Sequence, residues 1–127
     1  VTNMNSMFYY NTGLKSLDLS NFDTSNVVNM GSMFSMLTNL TELDLRNFET
    51  DNVTNMSNMF NGSYRITLIR LDNATFDNVT GYVTNMFYSI KGTVVTKDET
   101  TKSWLETKAL PYTDSVTVKT VAEYESQ

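Results

Sequence analysis

The chain repeats itself every 26 residues, and this period restricts the possible folds more than any other feature of the sequence. A valine opens each unit, at Val1, Val27 and Val53, and a weaker fourth copy begins at Val79. Apolar residues recur at fixed distances behind each valine. The recurring columns are Met4, Met30 and Met56; Met7–Phe8, Met33–Phe34 and Met59–Phe60; Leu14, Leu40 and Ile66; Leu17, Leu43 and Ile69; and Leu19, Leu45 and Leu71. Equivalent side chains are therefore expected at the same point of each structural turn.

The leucine-rich part of each unit predicts one β-strand. In the segment LTELDL, Leu43 and Leu45 are two residues apart and point to one face, whereas Glu42 and Asp44 point to the other. Such alternation is typical of a strand with one buried face. The predicted parallel strands are residues 14–19, 40–45 and 66–71, with Leu17, Leu43 and Ile69 stacked inside.

The Met-Phe part of each unit, such as NMSNMF, has apolar residues at the spacing of a helical or 3₁₀ turn. It would close each turn from a third side. A period of 20–29 residues with an L-x-x-L-x-L core is the signature of a leucine-rich-repeat solenoid. The predicted fold is therefore an α/β solenoid. It is a short, right-handed leucine-rich-repeat coil with one parallel strand per 26-residue turn and a C-terminal helix-strand cap.

Asparagines also recur with the 26-residue period. They stand before the valine column, after the strand and before the methionine column. The residues are Asn26, Asn52 and Asn78; Asn21, Asn47 and Asn73; and Asn3, Asn29 and Asn55. A polar side chain at a fixed place in every turn predicts amides that satisfy backbone groups at the corners.

The repeat pattern weakens after residue 78, which divides the chain into two parts. We predict a solenoid over residues 1–97, with three good turns and a degraded fourth, and a C-terminal cap over residues 98–127. Gly92–Lys97 is rich in β-branched residues and predicts a strand. Asp98–Leu110 predicts a helix that Asp98, Thr100 or Thr101 caps and Pro111 stops. The rest predicts one more strand, around Val116 and Val118, which runs into a polar linker.

Two aromatic residues are expected to complete the core where the repeat ends. Ala74 replaces the phenylalanine of earlier turns, and Phe76 lies two residues later on the same strand face, so it is expected to fill the vacated space. Trp104 is expected to cover the open end of the apolar column, near Phe87 and the Val94–Val95 strand. The alternative for Trp104 is an exposed anchor for a partner.

The composition excludes several kinds of chemistry. Without histidine or cysteine, the chain has no Ser-His-Asp or Cys-His nucleophilic site and no disulfide. The net charge of −5 argues against nucleic acid as a partner, and no segment is apolar enough to span a membrane. Asp18, Glu42 and Asp44 could supply the two carboxylates of a glycosidase. An open sheet offers no pocket to raise a pKa, however, so a solvated acidic face is favoured. We predict no catalytic residue, no metal site and no cofactor.

A calcium site would need a cluster of oxygen ligands. Asp23 and Glu49 share one column of the repeat, and Asp51 and Asp77 share another. A solvated acidic face is the better explanation of both columns. We therefore make no calcium assignment.

The exposed strand face is the best candidate for a binding surface, since the sheets of solenoids serve as extended binding surfaces. Leu68 is apolar at a position where the alternation calls for a polar residue. The candidate binding residues, from two neighbouring columns of three turns, are Ser16, Asp18, Glu42, Asp44, Leu68 and Arg70.

The units LKSLDLSNFDTSNVVNMGSMF and LTELDLRNFETDNVTNMSNMF resemble the BspA-like leucine-rich repeats of bacterial surface proteins. The closest type is the 26-residue repeat of Gram-positive bacteria and mycoplasmas, and the resemblance covers residues 1–78 well and 79–97 loosely. It implies an extracellular protein, attached to the cell wall or anchored through lipid by parts outside this sequence. It supplies no catalytic residues.

The resemblance also implies a function in adhesion. The expected function is a non-catalytic cell-surface interaction module, whose sheet face binds a host matrix or cell-surface protein. The alternative is a structural spacer or stalk that binds nothing itself. Because Val1 falls inside the repeat pattern and the C terminus is polar, we expect further domains at both ends.

Overall fold

The computed structural model describes residues 1–110 and 115–127. Its elements, in chain order, are β1 Glu42–Asp44, β2 Leu68–Leu71, β3 Thr93–Thr96, α1 Glu99–Trp104, a π-helical segment Leu105–Ala109, β4 Thr117–Thr120 and α2 Val121–Glu125. The four strands form one parallel sheet in the order β1-β2-β3-β4. The chain therefore has an α/β fold with an open parallel sheet and short helices.

One apolar residue from each strand forms a continuous row on the inner face of the sheet. Leu43 is the register partner of Ile69, Ile69 of Val94, and Val94 of Val118. All four side chains are buried. The prediction that Leu43 and Ile69 stack inside parallel strands is confirmed.

The first predicted strand, residues 14–19, does not form. No backbone hydrogen bond joins this segment to β1 in the described part of the chain, and Leu17 is only half-buried. A strand in the register of the repeat would place Asp18 beside Asp44, and like charges side by side destabilise strand pairing. Between β1 and β2 the same column brings Asp44 opposite Arg70, and there the strands pair. Leu19 is nevertheless buried, so the turn still contributes to the core.

The Met-Phe segments are hydrogen-bonded turns and not helices. Met33 donates its backbone N–H to the carbonyl of Met30, as in a 3₁₀ turn, at 3.3 Å. The next turn cannot continue a helix because Ser32 and Met36 adopt left-handed backbone angles, with φ of 55° and 60°. The equivalent residues of the other turns do the same. They are Ser6, Asn58, Tyr10 and Gly62.

These left-handed residues turn every second N–H toward the neighbouring turn. The result is a ladder of backbone hydrogen bonds on the side of each turn that carries the Met-Phe pair. Met4, Ser6, Phe8 and Tyr10 donate to Asn29, Gly31, Met33 and Ser35, and Met30, Ser32, Phe34 and Met36 donate to Asn55, Ser57, Met59 and Asn61. Successive turns are therefore joined along this side as well as through the sheet.

The phenylalanines of the Met-Phe pairs stack through the core in one column. The ring centroids of Phe8 and Phe34 are 5.7 Å apart, those of Phe34 and Phe60 5.9 Å, and those of Phe60 and Phe87 5.2 Å. The rings are nearly parallel, with interplanar angles of 7–18°. The backbone ladder sets this spacing, and the stack links all four turns.

Asparagine and threonine side chains bind the backbone of the neighbouring turn, as the repeat predicts for asparagine. Asn47 Nδ2 donates to the carbonyl of Leu19, and Asn73 Nδ2 to that of Arg46. The buried Thr50 hydroxyl donates to the carbonyl of Thr75 at 2.7 Å and accepts from the Thr75 N–H at 2.8 Å. No buried side-chain nitrogen or oxygen in the described residues lacks a hydrogen-bond partner.

The C-terminal end of the core is closed by α1 and the π-helical segment. Asp98 caps α1 by accepting from the Thr101 N–H at 3.0 Å, as predicted. Leu105 and Ala109 are buried. Trp104 is half-buried and packs against the core. Its ring stacks on Phe76, with centroids 4.4 Å apart, where Phe87 and the Val94–Val95 strand were the predicted neighbours. The predicted helix stop at Pro111 lies outside the described residues.

Phe76 occupies the position of the repeat that Thr24 and Thr50 hold in the earlier turns. Those threonines bond to the backbone of the following turn. Beyond Phe76 the chain presents the ring of Trp104, so an aromatic contact replaces the hydroxyl bonds. Ala74 and Phe76 are both buried, which agrees with the expected compensation.

The chain after β4 forms a helix where the sequence analysis predicts a strand end and a linker. Thr120 caps α2 by accepting from the Glu123 N–H, and the Glu123 carboxylate accepts from the Thr120 N–H. This reciprocal pair is a capping box, which the spacing of Thr120 and Glu123 could have indicated. Lys102 of α1 pairs with Glu123 at 3.0 Å and so ties α2 to α1.

Replacing Gly92 with alanine is expected to lower the free energy of unfolding by about 1–3 kcal/mol, as overpacking does. Gly92 precedes β3 at a point where a Cβ would lie 2.6 Å from the Cα of Thr67, so backbone would have to move. Gly13→Ala is the matched control, because nothing lies within 4 Å of its Cβ position. Urea unfolding measures both, and equal effects would contradict the β2–β3 spacing.

Candidate functional site

The outer face of the sheet holds four of the six candidate binding residues. Glu42 and Asp44 lie on β1, and Leu68 and Arg70 lie beside them on β2, as register partners. Glu42 and Asp44 are exposed, whereas Leu68 and Arg70 are half-buried. Ser16 and Asp18 are exposed but lie on the first turn, which forms no strand. The structure thus brings together the four candidates on β1 and β2. The two candidates of the first turn lie outside the sheet.

The second half of this face is covered by the chain itself. The Arg70 guanidinium lies 4.8 Å from the centroid of the Tyr124 ring of α2. Only 16% of its side chain is exposed, against 56% for Arg46. Val95, the register partner of Arg70 on β3, is buried although its neighbours in the strand face the core. Arg70 therefore makes an internal contact with Tyr124 and is less open than Arg46, and its assignment as a binding residue stays a prediction.

Ion pairs between residues two apart organise the charges of the face. Asp44 accepts two hydrogen bonds from the Arg46 guanidinium, at 3.0 and 2.7 Å. Asp72 accepts two from Arg70, at 2.9 and 2.6 Å. The bonds from Arg46 hold the pKa of Asp44 below its usual value. Hydrogen bonds from the Ser20 hydroxyl and N–H lower the pKa of Asp18.

The lowered pKa values bear on the kind of chemistry these carboxyl groups can do. A general acid needs a pKa raised toward the operating pH. Asp18 and Asp44 shift in the opposite direction and remain ionised at neutral pH. This arrangement suits ionic contacts with a partner better than proton transfer.

Two adjoining depressions lie on this face, one beside the first turn and one between β1 and β2. One, of about 420 Å³, is lined by residues 17–20 of the first turn and by Asp44, Arg46 and Asn47. The other, of about 170 Å³, lies between β1 and β2, where Glu42 and Leu68 form part of the lining. The larger one occupies the gap that the missing first strand leaves. The alternation pattern could not predict it, because the pattern continues unchanged through residues 14–19.

Within residues 1–110 and 115–127, no group of three or more acidic side chains is placed to hold a metal ion. No helix of the same ranges has the length and apolar character needed to cross a bilayer.

The fold and the repeat define the class of protein. The chain is an α/β protein of stacked 26-residue units with an open parallel sheet. The chain belongs to the family described as Mycoplasma protein of unknown function, DUF285, which matches residues 1–104. No curated protein and no solved structure matches the chain.

The cover that α2 provides can be tested by arginine modification with butanedione. We expect Arg46 to react faster than Arg70 in the wild type, because each pairs with an aspartate but only Arg70 lies under Tyr124. Tyr124→Ala should raise the rate of Arg70 several-fold and leave that of Arg46 unchanged. Peptide mass spectrometry measures both rates. Equal rates in the wild type would mean that α2 leaves this face open.

Proposed function

We propose that the chain is a short, right-handed leucine-rich-repeat solenoid of the BspA-like type. One observation and one general rule support the proposal. Corresponding segments of successive turns are joined by backbone hydrogen bonds, and crossover connections between parallel strands are right-handed in nearly all proteins. Residues 1–97 would form the solenoid and residues 98–127 its cap, in which Leu105 and Ala109 close the apolar column.

The proposed function is that of a non-catalytic interaction module on the surface of a bacterial cell. One observation carries it: the first turn, β1 and β2 form an open surface with two adjoining depressions. This adhesion surface consists of Asp18, Glu42, Asp44, Arg46 and Leu68. The partner would be a host matrix or cell-surface protein, and the cellular location would be extracellular.

The chemistry of the adhesion surface favours a partner with a basic patch. Asp18 and Asp44 carry lowered pKa values and stay ionised, and Glu42 is exposed in the neighbouring column, two residues before Asp44. Arg46 neutralises Asp44 only in part, because both side chains are more than half exposed. Surfaces of one predominant sign guide the approach of an oppositely charged partner.

The second candidate function is a structural spacer, and one observation favours it. Helix α2 covers the outer face at β2 and β3, so that less of the sheet is free than in an uncovered solenoid of the same length. A spacer needs rigid turns and no free sheet. It would hold other parts of a surface protein away from the cell without binding a ligand.

Binding of purified matrix proteins separates the two functions. With immobilised fibronectin and laminin as probes, we expect at least one to bind, with an affinity that falls as salt rises. Glu42→Lys should weaken that binding roughly three- to tenfold, the scale of one or two exposed ion pairs. Biolayer interferometry measures the affinities.

The matched control is Glu49→Lys, which makes the same charge change at an exposed position after the strand. It should leave the affinity unchanged. Binding that both variants weaken equally would reflect net charge and not the adhesion surface. No binding to either probe would favour the spacer.

A further inference from the structure

The chain segregates its charges, and one side of each turn carries almost none. The chain has nine basic and 14 acidic residues. The segments 1–13, 27–39, 53–64 and 79–91, which contain the Met-Phe pairs, include a single charged residue, Lys91. The same segments hold five of the seven tyrosines. Their other polar residues are asparagine, serine and threonine.

All five of these tyrosines are exposed: Tyr9, Tyr10, Tyr64, Tyr82 and Tyr88. The repeat does not require them, because Ser35 and Asn61 hold the position of Tyr9, and Thr12 and Thr38 hold that of Tyr64. They contribute little to the core. An exposed set of large rings among amides and hydroxyls is a composition typical of binding surfaces.

Two of these tyrosines flank a cleft. The tyrosine cleft has a volume of about 480 Å³, within the range of small-molecule sites, and is lined by Met36, Asn61, Gly62, Tyr64, Tyr88, Ser89 and Lys91. Gly62 makes room for the Met36 side chain in the lining of the cleft. At φ of 80° a glycine is unstrained, and a Cβ there would collide with Sδ of Met36, which lies over it.

We propose that the tyrosine cleft binds a neutral saccharide. A sugar ring has apolar C–H faces and a rim of hydroxyl groups. The exposed rings of Tyr64 and Tyr88 offer flat apolar surfaces to the faces. The amide of Asn61, the hydroxyl of Ser89 and the ammonium of Lys91 offer hydrogen-bonding groups to the rim.

The charge distribution argues for this ligand class over a protein. The lining contains no carboxylate and one cation, in a chain whose net charge is −5. A protein partner selected by charge would use the sheet side, where the acidic residues lie. The adhesion surface and the tyrosine cleft share no residue, so each proposal can fail without the other.

The test is an NMR titration of the isotope-labelled chain with lactose, maltotriose and chitotriose at millimolar concentrations. At least one saccharide should shift the amide signals of Gly62 and Ser89 in a saturable way. Tyr64→Ala and Tyr88→Ala should each weaken binding about tenfold through loss of a stacking face. Tyr64→Phe should bind nearly as well as the wild type, because it keeps the ring.

The control is Tyr82→Ala, since Tyr82 is 81% exposed and lies outside the cleft. Its affinity should equal that of the wild type, and high salt should change no affinity. Tyr64 and Tyr88 are 53% and 61% exposed, so their alanine variants should keep the wild-type amide spectrum elsewhere. Absence of saturable shifts with all three sugars, or equal losses in Tyr82→Ala, would overturn the proposal. Protein binding at this cleft without sugar binding would overturn it too.

Discussion

Backbone hydrogen bonds between successive turns are the interaction on which the rest of the structure depends. They join residues 26 apart or nearly so along two sides of each turn: through the sheet, and through the ladder in which every second residue of the Met-Phe segments donates. Because these bonds fix the offset between turns, every column of the sequence becomes a column in space. The core follows from that register, with the phenylalanine rings held 5.2–5.9 Å apart.

A stack of equivalent positions imposes a condition on each side chain: it must tolerate its own kind as a neighbour. Phenylalanine satisfies it by parallel stacking, and threonine and asparagine satisfy it by bonding to the neighbouring backbone. Aspartate does not. Asp18 beside Asp44 coincides with a missing strand, whereas Asp44 beside Arg70 coincides with a formed one. Where the stack ends, Phe76 replaces the threonine of the earlier turns and stacks on Trp104.

The sequence predicted the parts of the fold that depend on repetition. The L-x-L alternation located β1 and β2, and the β-branched run at residues 93–96 located β3. It missed what depends on individual residues. The left-handed angles of Ser32 and Met36 carry no sequence signal, because neither residue type favours that conformation. Alternation in the sequence likewise located the candidate face. It could not predict that Tyr124 covers part of this face, because a linker was predicted where α2 forms.

The 26-residue register is tested most directly by disulfide formation, because the chain has no cysteine of its own. Glu42 and Leu68 are register partners on the outer face, and adjacent strands lie about 4.8 Å apart. That distance lies within the range a disulfide spans. The double variant Glu42→Cys, Leu68→Cys should oxidise readily without loss of stability. Glu42→Cys, Arg70→Cys, displaced by two residues on the same face, should resist oxidation. If the displaced pair oxidised as readily as the first, the turns would not stack in the register described.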